Sequence, residues 1–292
     1  MAFIETYYKT AFPNDKRQVV VPTEEKVRSL SLDRMFEIYK ERFAFANNQV
    51  FFIVGNVSDK DINLIAKYLN HLPTLPAVMK DNLIDRTQKF AKGIVHAEAV
   101  KGIEKQGMLL MMGQKEVPNE ELDAKTRMAI QQLGECLSIT VTEIIREKNG
   151  DAYSPSGTAG ASRSISSDKG SVYWQYYIGL DPEKAKKVEK DCIKILKDYM
   201  KKGCDQKTLN KVQEQMIVQH DKSVQNNSWW LSNIRNSYMT GEDSEWQVNE
   251  YNKMVKSITL DDIKAAAAKY FDLNNYVVVT LRPEDGAVGT AD

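Results

Sequence analysis

The chain has 292 residues, which is enough for one large domain or two ordinary ones. It carries 40 lysines and arginines against 40 aspartates and glutamates, so its net charge of zero provides no bulk attraction to nucleic acid or anionic lipid. No apolar run reaches the roughly 18 residues that a membrane-spanning helix needs, and the N-terminus lacks the basic and apolar regions of a signal peptide.

The first predicted unit begins at Ser29 and recurs at Ser257. The two copies align without a gap at an offset of 257 − 29 = 228 residues and read SLSLDRMFEIYKERFAFANNQVFFIVG and SITLDDIKAAAAKYFDLNNYVVVTLRP. Each copy predicts a helix capped by Ser31 or Thr259, then an Asn-rich turn, then a buried strand, which is VFFIV or YVVVTL. A gapless match of about 25 residues is typical of a structural repeat. Since the second copy follows the body of its domain, we expect the first copy to be the tail of a preceding, related domain.

The elements between the two copies predict one complete domain. Ser58 caps a helix after the first copy, and a connector that contains proline and glycine follows. From Gly107 the sequence predicts a strand, a long helix that ends at Asn149-Gly150, two antiparallel strands around residues 167–170, and a lysine-rich helix. This order predicts an α+β sandwich with helices on one face of a mainly antiparallel sheet. The predicted domains are residues 1–78 for the tail, 79–104 for a linker, 105–285 for the complete domain and 286–292 for a flexible tail.

The histidines and cysteines form no recognisable metal or disulfide motif. There are three of each, namely His71, His96, His220, Cys136, Cys192 and Cys204. No histidine has a second histidine and a glutamate at the spacing of a zinc-hydrolase helix, so each is interpreted as a surface or structural residue. The absence of a CxxC pair favours three free thiols, with Cys136 in the core. No metal ligand is predicted in this chain.

The segment IREKNGDAYSPSG places Arg146 just before a tight corner and Tyr153 just after it. One interpretation is structural, because an arginine at a helix end interacts favourably with the helix dipole and a strand tyrosine commonly lies in a core. The other is functional, with both side chains pointing into a cleft. The guanidinium is a fork of donors for carbonyl or carboxylate oxygens, and the phenol can donate to a polarised carbonyl.

These segments resemble the M16 (insulinase/pitrilysin-type) zinc metallopeptidases. IREKNGDAYSPS is similar to a family string, FAFANNQVFFIVGNVSDKDINLIAKYLNHLP resembles the family's strand–glycine–helix segment, and the resemblance extends from about Leu30 to Pro283. It implies repeated LuxS/MPP-like two-layer α+β domains in two halves that close around a peptide, with zinc held by an H-x-x-E-H motif in the N-terminal half. By this resemblance, Tyr153 supports the scissile carbonyl or oxyanion and Arg146 binds substrate backbone oxygens.

The sequence departs from the family because H-x-x-E-H is absent. The resemblance therefore implies that zinc belongs to an N-terminal catalytic half, on the same polypeptide or a separate subunit, and that this chain alone is inactive. The compartment stays open, with the periplasm or cell envelope suggested by bacterial members. Three hypotheses follow: the peptide-clamping C-terminal part of a zinc endopeptidase, a catalytically inactive scaffold or assembly subunit of the same fold, or an unrelated module that captures a peptide on a sheet edge.

Overall fold

The computed structural model describes residues 2–15, 22–43, 45–46, 49–74, 89–103 and 106–284. Spatial contacts divide the chain into two units. Unit 1 comprises Met1–Val21, Asp85–Val218 and Glu250–Asp292, and unit 2 comprises Pro22–Ile84 and Gln219–Asn249. None of the described helices is both long enough and apolar enough to cross a membrane.

Helices and strands follow the chain in an α+β order. The described helices are α1 (Ala2–Ala11), α2 (Glu24–Arg28), α3 (Leu32–Phe43), α4 (Asp59–Leu69), α5 (Ala124–Val141), α6 (Ala185–Lys202), α7 (Gln206–Ser223), α8 (Asn227–Thr240), α9 (Trp246–Asn249), α10 (Tyr251–Lys256) and α11 (Leu260–Tyr270). The described strands are β1 (Ile94–Val100), β2 (Gly107–Pro118), β3 (Ala152–Ser162), β4 (Lys169–Leu180) and β5 (Tyr276–Arg282).

The five strands form one sheet in the order β1-β5-β2-β4-β3. Only the β1–β5 pair is parallel, and the three other pairs are antiparallel. β5 lies between β1 and β2, which explains its uninterrupted apolar run, because a central strand is buried on both faces. The predicted α+β class with a mainly antiparallel sheet is therefore confirmed.

One face of the sheet is covered by helices that approach it closely. Trp174 and Tyr176 of β4 are each 1% exposed on this face, beneath the helical layer. Helix α5 packs against β3 at Gly134, where an added Cβ would lie 2.4 Å from the backbone nitrogen of Ala159. Only a residue without a side chain allows the two backbones to come this near.

The opposite face carries α1. Neighbouring residues of a strand point to opposite faces, so Tyr177 lies on the other side of the sheet from Tyr176. The ring of Phe3 packs 6.2 Å from the ring of Tyr177, and the hydroxyl of Tyr7 donates to the sulfur of Met112 at 2.6 Å. Burial raises the pKa of Tyr7, since the phenolate form would lose its hydration. Residues 1–21 thus belong with the sheet, although the sequence analysis grouped them with the first repeat.

Two predicted elements differ from the structure. Residues 94–100, which were assigned to the linker, form β1, and the alternating burial of this edge strand is a weak signal in a short segment. The predicted strand VFFIV is not a strand, and Val50, Phe51 and Ile53 are 49%, 46% and 52% exposed. It has no partner strand among the described residues, and a strand forms only by pairing. Residues 79–88 of the predicted linker and the predicted tail 286–292 lie outside the described residues.

Candidate functional site

The corner between α5 and β3 is built by a widened helical turn that stops at glycine. After α5 the backbone continues as a π-helical turn over Thr142–Lys148. Asn149 N–H donates to the carbonyl of Ile144 at 3.1 Å, and Asp151 N–H donates to that of Ile145 at 2.9 Å. Gly150 has a φ of +61°, a left-handed conformation that glycine adopts without steric cost. The predicted stop at Asn149-Gly150 is therefore confirmed.

Tyr153 lies on a β-bulge at the start of β3. Ala152 pairs with Leu180 and Ser154 with Gly179, so Tyr153 is an extra residue with no partner opposite it on β4. A bulge redirects the side chain that it inserts. Tyr153 is 67% exposed, which rules out the interpretation of a core tyrosine.

Arg146 is also exposed, on the last part of the π-helical turn. Other arginines, such as Arg34 and Arg282, are engaged by glutamates. Among the residues that the structure describes, the side chains of Arg146 and Tyr153 make no hydrogen bond or ion pair. Both predicted site residues thus leave their donors free on one corner.

A buried carboxylate ties this corner to α6. The side chain of Asp151 is 5% exposed and pairs with Lys187 and, at 3.4 Å, with Lys184. Lys184 also donates to the carbonyl of Gly150 at 3.0 Å, and Asn149 donates to Asp191 at 3.2 Å. The backbone on both sides of Asn149-Gly150 is therefore anchored to one helix.

The ion pairs also set the charge state of the anchor. The hydrogen bond from Lys187, with a smaller contribution from Lys184, holds the pKa of Asp151 below its usual range. The same bond raises the pKa of Lys187. The sequence analysis missed Asp151, and the available signal was weak, namely an acid directly after a helix stop and two lysines three residues apart on one helix face.

β3 is an edge strand beside this corner. Among the described strands it pairs with β4 alone, so the other side of its backbone offers N–H and C=O groups to an added extended chain. Pro155 lacks an N–H and limits the donors in that row. The corner thus combines a backbone edge with two exposed side-chain donors.

The histidines lie apart and do not form a metal centre. His71 bonds the carbonyl of Lys67 at 2.6 Å, His96 bonds Glu189 at 2.9 Å, and His220 bonds the carbonyl of Gln247 at 2.8 Å. In the described part of the chain, no group of three or more histidine, cysteine, aspartate or glutamate residues could hold a metal ion. Together with the absence of H-x-x-E-H from the sequence, these residues do not fit a zinc site.

The comparison with protein families identifies one matching model. It is described as the peptidase M16 inactive domain, and it matches residues 29–216, which is more than half of the chain. No curated protein sequence matches the chain.

Several solved structures share the fold. The peptidase M16 inactive domain from Pseudomonas fluorescens has a TM-score of 0.68 and 18% identity, over 92% of this chain and 61% of that chain. The ferredoxin protease FusC in complex with Arabidopsis ferredoxin has a TM-score of 0.71 and 14% identity, over 96% and 29%. The periplasmic protease PqqL from Escherichia coli has a TM-score of 0.60 and 20% identity, over 79% and 25%. The chain therefore spans less than two thirds of each of these proteins.

Proposed function

Because the chain belongs to the peptidase M16 family, we propose that it forms the zinc-free, substrate-binding part of an M16-type zinc metalloendopeptidase. The observation that supports this role best is the exposed, unpartnered phenol of Tyr153 on a bulge at a sheet edge. The residues present here do not fit zinc, so the proposal assigns the metal to a separate N-terminal half. One structurally similar protease is bound to a ferredoxin, which is consistent with a substrate derived from protein.

Tyr153 is the proposed donor to the reacting group of the peptide. Its hydroxyl can donate a hydrogen bond to the scissile carbonyl and to the oxyanion that forms when the carbonyl is attacked. The bulge frees the side chain from the alternation of β3, and the anchored corner behind it limits its movement. A donor held in place before the reaction stabilises developing charge better than one that must reorganise.

Arg146 is the proposed clamp on the substrate backbone. Its planar guanidinium presents several donors in a fixed arrangement that suits carbonyl oxygens. No carboxylate among the described residues neutralises it, so these donors stay available for a peptide. The free edge of β3 nearby can hold that peptide in an extended conformation.

The test is peptide hydrolysis by the assembled protease, with the N-terminal half supplied. Tyr153→Phe removes only the donor, and we expect kcat to fall roughly 100-fold, as for the loss of one oxyanion donor. Tyr68→Phe is the matched control, because Tyr68 is similarly exposed, at 70%, and lies in unit 2. Arg146→Gln in the same assay should raise KM, whereas Lys148→Gln removes a nearby exposed charge and should not.

Unchanged turnover in Tyr153→Phe would contradict the proposed role. If the two halves still associate in that case, the chain is a scaffold or assembly subunit of the same fold. If peptide binding to the isolated chain persists in both variants, the edge of β3 alone captures the peptide, as in the third hypothesis.

A further inference from the structure

Unit 2 exposes an apolar surface and has no core of its own. None of its described residues is buried, whereas every buried residue of the described chain belongs to unit 1. Helices α3 and α4 each bury no residue. Isolated helices of this length are marginal in water, because most helical stability in proteins comes from packing an apolar face.

The exposed side chains form one set, which we call the α3 surface. It comprises apolar residues of α3 and of the extended segment that follows, namely Met35, Ile38, Tyr39, Phe43, Val50, Phe51 and Ile53. Each of these residues is between 44% and 60% exposed. Clusters of large exposed apolar side chains mark surfaces that bind another protein.

The internal repeat shows what covers the equivalent positions. The offset of 228 residues pairs the α3 surface with residues of α11 and β5 that are buried in unit 1. The exposed fraction falls from 53% at Met35 to 0% at Ile263, from 60% at Phe43 to 4% at Phe271, and from 46% at Phe51 to 0% at Val279. The two helices also begin alike, since Ser31 accepts from Arg34 N–H and Thr259 accepts from Asp262 N–H, each at 3.2 Å.

The environment of the second copy defines the chemistry of the missing partner. Helix α11 packs against α5 and α6, and β5 is hydrogen-bonded to β1 in parallel and to β2 in antiparallel orientation. A partner for the first copy must therefore supply two strands separated by a vacant position, and a helical layer above them.

We propose that the α3 surface docks into an α/β body of this same fold that lacks its own last helix and strand. Residues 50–54 then become a central strand of that body, and α3 completes its helical layer. In the second copy the body precedes α11 and β5 in the chain. We therefore assign the partner to the polypeptide encoded upstream of Met1. This inference stands on the repeat and the burial pattern and does not depend on Arg146 or Tyr153.

A second copy of this chain does not fit the requirement. Its sheet already contains β5 between β1 and β2, so it offers no vacant position for residues 50–54. Self-association would thus leave the α3 surface without a strand on each side.

The experiment measures hydrogen–deuterium exchange of the backbone amides of residues 50–54. In the chain alone we expect these amides to exchange rapidly, while those of Val277 and Val279 in β5 are protected. Addition of the upstream-encoded polypeptide should slow exchange at residues 50–54 at least 100-fold. Absence of protection would overturn the proposal, and so would protection that appears in the chain alone as its concentration rises, because a second copy would then be the occupant.

A substitution on the surface provides the second measurement. Phe51→Asp should weaken binding of the upstream-encoded polypeptide more than tenfold, since a charge would be buried in a central strand. Because Phe51 is exposed in this chain, the variant should keep the wild-type circular dichroism spectrum. Ile165→Asp is the control, as Ile165 is similarly exposed, at 48%, but lies in unit 1 outside the α3 surface. Equal binding by both variants would refute the proposed surface, and normal binding by Tyr153→Phe separates this result from the proposed function.

Discussion

Replacing Asp151 with asparagine tests how the corner that carries Arg146 and Tyr153 is held. The substitution keeps the shape of the side chain and removes its charge, so the bonds to Lys187 and Lys184 lose their ionic character. Hydrogen bonds to charged groups contribute about 1.5–3 kcal/mol each. The two lysine side chains are 59% and 42% exposed, and solvent screening weakens such pairs.

The expected loss in the free energy of unfolding is therefore about 1–2 kcal/mol at neutral pH. For a cooperative unit of roughly 150–250 residues this corresponds to a decrease in Tm of roughly 2–8 °C. The measurement is urea or thermal denaturation of the wild-type chain and the variant, followed by circular dichroism. Asp198→Asn is the control, because its pair with Lys202 lies on the surface at 3.6 Å and should contribute little.

The pH dependence gives the sharper check. The pKa of Asp151 is lowered in the folded state, so its charge stabilises the fold above the ordinary aspartate pKa of about 3.9. This contribution is lost as the pH falls through the lowered folded-state pKa. The stability difference between wild type and variant should be full at pH 7 and should shrink below about pH 4. Equal stability at pH 7, or a difference that does not change on acidification, would refute the anchoring role.

Two further predictions concern packing and thiol reactivity. Gly134→Ala should cost about 1–3 kcal/mol in a denaturation experiment, because the new methyl group would overlap the backbone of Ala159, and a silent substitution would show that α5 and β3 can separate. Cys204 should be alkylated by iodoacetamide before the other thiols in a mass-spectrometric time course. Its bond with Cys136 lowers the pKa of Cys204 and raises that of Cys136, and burial raises the pKa of Cys192. Faster labelling of either buried thiol would contradict this order.

Local signals in the sequence predicted most of the element boundaries. Thr259 and Ser58 cap their helices through reciprocal bonds with Asp262 and Asp61, as capping residues at those positions should. The stop at Gly150 and the hairpin of β3 and β4 follow from residue types that act within a few positions of themselves. Such features depend on the nearby backbone, so the sequence is sufficient to identify them.

The same reasoning failed where a structure depends on a distant partner. The run VFFIV has the composition of a buried strand, yet its residues are exposed and unpaired in the described chain, whereas the equivalent residues of β5 are buried between β1 and β2. β1 was missed for the converse reason, since its weak pattern becomes a strand only by pairing with β5. Strand formation requires hydrogen bonds to another segment, and composition does not specify whether that segment is present.

The site shows the same division between what the sequence determined and what the tertiary structure decided. The sequence determined that Arg146 and Tyr153 flank one corner, because the helix stop between them is local. It left open whether Tyr153 lies in the core or at the surface. The pairing of β3 with β4 decided this, since the bulge at Tyr153 exists only in the register between the two strands. The anchor at Asp151 likewise depends on α6, more than 30 residues further along the chain, because a buried carboxylate is stable only where the fold brings cations to it.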